Sequence, residues 1–339
     1  MKPNICFFFR ILTCFIALLC GAVESKAETD ANALVREQTE RLNKLEISLL
    51  TCQPHDEVYS LYGHTAIRVK DTMGGEDYVI NYGVFDTRKS LFVLRFIFGL
   101  TDYTMEIFPY EDFIQEYKHY GCGVYEQHIN MDVFHKAAFI KALSENIRPE
   151  NAVYRYNFFY NNCTTKARDI IINSIENEEN FQFIASTHGK VVAGNLPPIQ
   201  RGERSFRDLV HMKTADYPWA RFGNDLLLGV AADANTTYSE REFLPEVFAS
   251  DLDSAIIYSV APHLSTKLVD KAVWVLKPGT KWQNPDMPHF PLTPFQCAML
   301  IFILAVLYSL FECFYLRRPL LWVHYVYTRS EEHTSELQS

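Results

Sequence analysis

Phe295 to Leu316 is a run of roughly twenty mainly apolar residues, enough helix to cross a bilayer. Arg317-Arg318 follows, and positive charge marks the cytoplasmic side, so this helix runs inward and the chain before it lies outside. Glu312, near the inner end, reaches the interface or a neighbouring helix. Pro319 to Tyr327 is apolar again, so 317–328 reads as the start of a truncated second membrane helix. Arg329 to Ser339 reads as the in-frame translation of a sequencing adapter, and 329–339 is set aside. At the other end, 1–27 reads as an export signal: Lys2 and Arg10, the apolar stretch Ile11 to Gly21, and Ser25-Lys26-Ala27 as a small-x-small cleavage site. An uncleaved anchor is the second reading, and Leu-Leu-Cys20-Gly is a poor lipoprotein box.

Between these ends lie a candidate catalytic region, 28–180, and a mixed, mainly helical lobe, 181–294. A net charge of −9 and the lack of polybasic clusters argue against a nucleic-acid partner. Only Cys52, Cys122 and Cys163 fall in the exported part. In an oxidising compartment, three cysteines suggest one disulfide and one free thiol; Cys52 with Cys122 would leave Cys163 free. The alternative is that all three are reduced and buried. No CxxC pair and no histidine near His64 at metal-ligand spacing occurs, so neither a zinc site nor any cofactor is expected.

Tyr156 to Asp169 reads Tyr-Asn-Phe-Phe-Tyr-Asn-Asn-Cys-Thr-Thr-Lys-Ala-Arg-Asp. An aromatic strand, Tyr154 to Tyr160, should lead into a helix with Ala167, Ile170, Ile171 and Ile175 on one face, placing Cys163 at its start. Unpaired N–H groups and the helix dipole there favour thiolate over thiol. The plain alternative is a small buried hydrophobe. A partner comes from a hairpin. Residues after Gly63 and Asp77 to Gly83 both read as strands, joined by the turn Asp71-Thr-Met-Gly-Gly75. If Lys70 pairs with Asp77, His64 and Asn81 lie diagonally on one face; with a four-residue loop they lie directly opposite. In either register Asn81 could orient an imidazole.

Elsewhere, Asn32 to Leu49 reads as a helical lead-in ending near Glu46, and Ser90 to Leu100 as buried core or, more sharply, an acyl-chain-lining element. Asp112 to Tyr120 reads as a short helix, Tyr125 to Met131 as a strand and Val133 to Asn146 as a helix. In the lobe, Leu196-Pro-Pro is a loop, helices begin at Ser205 and Pro218, and Ser239 to Glu242 fits a capping box. Ile256 to Pro262 and Lys271 to Lys277 are strand-like. Arg221 and Asp225 would either contact a substrate headgroup or form a surface ion pair.

Three segments together carry a resemblance: Tyr62-Gly-His-Thr-Ala-Ile-Arg with Asn81-Tyr-Gly-Val-Phe-Asp86; Tyr160-Asn-Asn-Cys-Thr-Thr with Arg168-Asp169; and Pro218-Trp through Leu228-Gly with Phe243-Leu-Pro-Glu. They resemble the Lnb-type lipoprotein N-acyltransferases over about Leu45 to Thr328. The order of His before Cys is also similar to the permuted papain-like fold of the NlpC/P60 superfamily. The implied fold is α+β, an antiparallel sheet bearing the His and a helix bearing the Cys, with a helical lobe and a C-terminal transmembrane helix. The implied place is the bacterial inner membrane, with the catalytic domain in the periplasm.

The resemblance implies Cys163 as nucleophile, His64 as general base and acid, and Asn81 as orienting residue, with Asp86 as rival. Backbone donors beside Asn162, Cys163 and Thr164 would stabilise the oxyanion. Tyr62, Tyr160, Arg221 and Asp225 are the candidate substrate contacts, and Phe158, Phe159 and Tyr160 the candidate walls excluding water; core packing is the alternative for those aromatics. The implied reaction moves an acyl chain from a phospholipid, through a thioester on the enzyme, to the α-amine of a diacylated lipoprotein. The rivals are an exported cysteine peptidase or amidase cutting cell-wall peptide, and a non-catalytic membrane-tethered interaction module.

Overall fold

The computed structural model describes residues 26–55, 57, 60–85, 101–176, 181–184, 203–259, 265–279 and 290–316. The expectations for residues 1–25 of the export signal, Asp86, Ser90 to Leu100, Leu196-Pro-Pro and everything after Leu316 lie outside the described residues; Lys26 and Ala27, the end of the expected signal, belong to the first helix. In chain order the elements begin with α1 (Lys26–Lys44), β1 (Leu45–Cys52), β2 (His64–Asp71), β3 (Asp77–Val84), β4 (Asp102–Pro109) and α2 (Tyr110–His119). Then come β5 (Val124–Ile129), α3 (Val133–Asn146), β6 (Val153–Arg155), α4 (Cys163–Glu176) and β7 (Phe181–Ile184). The remainder is α5 (Phe206–Lys213), α6 (Pro218–Leu227), α7 (Pro245–Ser254), β8 (Ile256–Ser259), β9 (Ser265–Lys267), β10 (Val269–Leu276) and α8 (Pro294–Phe311).

Seven strands form one antiparallel sheet in the order β10-β5-β1-β2-β3-β4-β6, so the fold is α+β. The helical lead-in stops earlier than its apolar spacing suggests: Leu45 to Leu49 belongs to β1, not to α1. The reason is burial on both sides. Leu45, Ile47 and Leu49 join one core, under α3, α4 and α7, while Leu50 and Cys52 join another with Phe113 and Tyr117 of α2. A central strand covered on both faces loses its alternating pattern and reads like any apolar run. Arg68 fixes the neighbouring register. Its guanidinium donates to Asp77 across the hairpin at 2.8 Å and to Glu126 of β5 at 3.0 Å, and it lies over the Tyr110 ring. Glu126 is buried, and an arginine bonded to two carboxylates in so sheltered a place holds three strands in one alignment.

The sheet does not stop at residue 180. β10 pairs with β5 at its edge, so the segment read as a lobe packed on the candidate catalytic region supplies a strand to that region's sheet. A smaller sheet, β7-β8-β9, accompanies it. The lobe's helices gather on a third, aromatic-rich core of Phe206, Leu209, Phe243, Leu244 and Val247, against which Tyr62, Phe158 and Phe159 pack. Ser205 caps α5 through a reciprocal exchange with Asp208. The box expected at Ser239 to Glu242 is instead a 3-10 turn, and the comparable exchange falls two residues earlier, between Thr237 and Glu240. Pro245 opens α7 directly, since its missing N–H needs no cap.

α8 continues through Tyr315 as an apolar helix long enough to cross a membrane, with none of it buried in the protein. Thr293 and Gln296 cap its start, with Pro294 in the first turn.

Candidate active site

Cys163 is the first residue of α4, and the residue before it sets that position. Asn162 accepts from the Thr165 N–H with Oδ1 and returns its own N–H to Thr165 Oγ1, at 2.9 and 2.8 Å. Its side-chain amide donates to the carbonyls of Phe158 and Phe243, so the buried Asn162 side chain is committed to capping and to the lobe, not to an oxyanion. The backbone N–H groups of Cys163 and Thr164 have no intrahelical acceptor, as the geometry of a helix start requires. Tyr156 to Tyr160 is not a strand continuing into this helix. β6 ends at Arg155, and Asn157 Oδ1 takes the N–H of both Phe159 and Tyr160, closing a turn that Asn157 and Asn161 bridge. An asparagine that bonds its own following backbone competes with strand pairing.

His64 opens β2, and Lys70 does pair with Asp77. The register places His64 Nε2 2.7 Å from Asn81 Oδ1. The thiol and imidazole approach each other across the end of the sheet closely enough for each to shift the other's protonation. Gly83 lies beneath them at φ +109°, and a Cβ there would stand 3.6 Å from Cys163 Cβ and 3.8 Å from His64 Cε1. Gly63, at φ +80°, brings the chain within reach of the Cys52 carbonyl, which a Cβ would meet at 2.8 Å.

Burial pushes the Cys163 thiol up, but the His64 charge, its hydrogen bond, the Thr65 N–H and Thr164 outweigh it and bring the thiol down to about 7. Burial likewise opposes charge on His64, yet the Cys163 charge, hydrogen bonds to Cys163 and Asn81, and the Glu116 carboxylate leave the imidazole raised. The two shifts have one physical origin, mutual stabilisation of thiolate and imidazolium, and they describe a nucleophile with a proton carrier beside it.

Thr164 is fully buried and meets Thr65 hydroxyl to hydroxyl at 3.1 Å, which ties α4 to β2 beside the thiol. The aromatic rings nearest the thiolate's field are Tyr103, Tyr154 and Tyr156, all raised by burial first and then by the Cys163 charge. Tyr103 and Tyr156 stack at 4.1 Å. Phe158 and Phe159 pack instead against Phe243 and Phe206, and Tyr160 is exposed. The reading of these three as the site's walls therefore yields to core packing for the two phenylalanines. The roles of Thr65, Gly83, Tyr103 and Tyr156 escaped sequence reasoning; the adjacency of Thr65 to His64 was the one available signal.

Of the other candidate contacts, Tyr62 lies one residue from Gly63 and its hydroxyl takes a 2.6 Å bond from Asn224 of α6. Arg221 and Asp225 do not pair with each other. Asp225 holds Arg207 and His211, and Arg221 reaches the other ring nitrogen of His211. Cys52 and Cys122 are buried thiols rather than the expected disulfide. Both sit within the core under α2, and burial pushes the Cys52 thiol well above its ordinary value.

A family model described as the Lnb N-terminal periplasmic domain matches residues 35–188, a span that contains Cys163, His64 and Asn81. No curated protein and no solved structure matches the chain. The match to a periplasmic-domain family and the apolar helix long enough to cross a membrane together fit a membrane-associated protein.

Proposed function

We propose that this Lnb-type chain is a lipoprotein N-acyltransferase that works through a thioester on Cys163. The observation that carries the reading is the Cys163–His64–Asn81 arrangement inside the matched span, in a chain with an apolar helix long enough to cross a membrane. Asn81 accepts the Nε2 proton and fixes the ring, so Nδ1 is the nitrogen that exchanges a proton with the thiol. The Cys163 thiolate attacks an ester carbonyl of a phospholipid. The carbonyl oxygen becomes an oxyanion beside the N–H groups at the start of α4. As the C–O bond breaks, His64 gives its proton to the departing alkoxide, and a lysophospholipid leaves. The α-amine of a diacylated lipoprotein then attacks the thioester, its proton passes to His64, and the C–S bond breaks to return the thiolate. Thioester to amide is downhill and calls for no external energy source. The stacked Tyr103 and Tyr156 supply an apolar wall that shields the thioester from water.

The test is incubation of the full-length protein in membranes with phospholipid labelled in its acyl chains. A hydroxylamine-sensitive label on Cys163 that moves to a lipoprotein amine is expected, and Cys163→Ala should abolish it. Cleavage of cell-wall peptide with no acyl label on Cys163 would instead identify a peptidase or amidase.

A further inference from the structure

α6 is amphipathic in an unusual direction. At 3.6 residues per turn, Trp219, Phe222 and Leu226 share one face, and Arg221, Asn224 and Asp225 the other. The polar face looks into the protein: Asp225 binds Arg207 and His211, and Asn224 binds Tyr62. The apolar face looks out. Leu226 is 71% exposed, Trp219, Phe222 and Leu227 are exposed, and Val230 just beyond the helix is 88% exposed. A soluble domain has no reason to turn such a helix inside out.

Its neighbour says what covers that face. The Trp219 indole donates to the Leu292 carbonyl at 2.8 Å and meets the Phe290 ring edge-on, immediately before the membrane helix begins at Pro294. Trp219 therefore stands at the level where α8 enters lipid, and the remaining apolar side chains of α6 continue from the same point. Tryptophan with its ring in the apolar layer and its N–H on a carbonyl is the arrangement favoured at a bilayer surface.

We propose that α6 and Val230 form an interfacial anchor that lies in the outer surface of the bilayer beside the transmembrane helix. The anchor rests on the membrane span and not on the acyl-transfer chemistry. Its position has a functional consequence. Asn224 on the inner face holds Tyr62, which packs edge-on against Phe158 and precedes Gly63 and His64, so a docked α6 sets the catalytic loop at a fixed height above the lipid.

The experiment uses the full-length chain in phosphatidylethanolamine–phosphatidylglycerol nanodiscs, with Trp274, Trp282 and Trp322 replaced by Phe so that Trp219 alone reports. Lipids brominated near the top of the acyl chain should quench its fluorescence by about half or more, while aqueous iodide quenches little. Phe222→Glu with Leu226→Glu should reverse that preference while iodoacetamide still alkylates Cys163 at the parent rate. If the double variant fails to fold, Val230→Glu, outside the helix, should shift quenching the same way. Quenching of the parent by iodide but not by bromolipid would place α6 in water, and quenching by neither would mean that protein covers it; either result overturns the anchor. Loss of acyl transfer chemistry with bromolipid quenching intact would leave the anchor standing and sink the catalytic reading.

Discussion

His64 Nε2 lies 2.7 Å from Asn81 Oδ1, and because an amide oxygen only accepts, Nε2 carries the proton of this bond and Nδ1 is the ring nitrogen left for another partner. A ring so held cannot flip, and its tautomer follows from an amide oxygen that can only accept. Removing the acceptor in Asn81→Ala should lower acyl transfer about ten- to a hundredfold, the worth of one hydrogen bond to a charged group. Asn81→Asp, which keeps an acceptor at the same place, should recover much of that loss, measured as the rate of labelled amide formation. Equal loss in both variants would count against an orienting role.

The thiolate should be visible in the pH dependence of alkylation. With Cys163 near 7, its reaction with iodoacetamide should rise with a midpoint about there, below that of an ordinary thiol. In His64→Ala the lowering contributions of His64 are gone and burial remains, so the midpoint must move up. Acyl transfer in that variant should fall by about two to four orders of magnitude, the usual worth of a positioned acid–base group. An unchanged midpoint would mean that His64 does not stabilise the thiolate.

Gly83→Ala should damage the site through the backbone more than through crowding. The new Cβ would make ordinary contacts with Cys163 and His64, but φ +109° is a conformation that an alanine adopts only at a cost of about 1–3 kcal/mol. Thermal unfolding of the detergent-solubilised protein should drop by several degrees, and Cys163 alkylation should slow with it. A stability equal to the parent's would show that this stretch relaxes freely.

Cys52 and Cys122, as buried thiols, make the fold indifferent to reductant. The unfolding temperature should be the same with and without dithiothreitol. In the native periplasmic domain only Cys163 should take a brief iodoacetamide pulse, with Cys52 and Cys122 labelled after denaturation, as read by peptide mass spectrometry.

Glu242 gives the opposite sign of pH dependence from a paired carboxylate. Burial, the Asp251 charge and a hydrogen bond to Asp251 raise it to about 8, against the weaker pull of Arg168. The folded state therefore holds a proton that the unfolded chain loses near 4.5, so this group subtracts stability as pH rises from about 4.5 to about 8. Glu242→Gln should flatten that slope and raise the unfolding temperature at pH 8 by about 2 °C or more relative to the parent. Because Arg168 lies on α4, the same cluster ties down the helix that begins at Cys163.

The local geometry of the candidate site was more legible in the sequence than the architecture around it. His64 and Asn81 could be placed on one face because a turn and Lys70–Asp77 pairing set a short-range register. α4 could be read from its isoleucines. What sequence periodicity could not reveal was long-range. β1 hides its alternation because it is covered on both faces, and β10 looks like part of the lobe until β5 claims it. Asn162 looks like a site residue because it adjoins Cys163; only the placement of Phe243 shows its amide bound elsewhere. The outward face of α6 reads as ordinary helix amphipathicity until the contacts of Trp219 with Leu292 and Phe290 set it beside the start of α8.

The pairing of Val269 with Ile129 also covers the β5 edge of the sheet. Strands β1 to β6 precede β10 in the chain, so the sheet has an open edge along β5 until β10 joins it. The strand that closes that edge is the last one before α8. Completion of the sheet that carries His64 and Asn81 is thus tied to the segment that leads into α8, so β10 couples that sheet to the apolar helix.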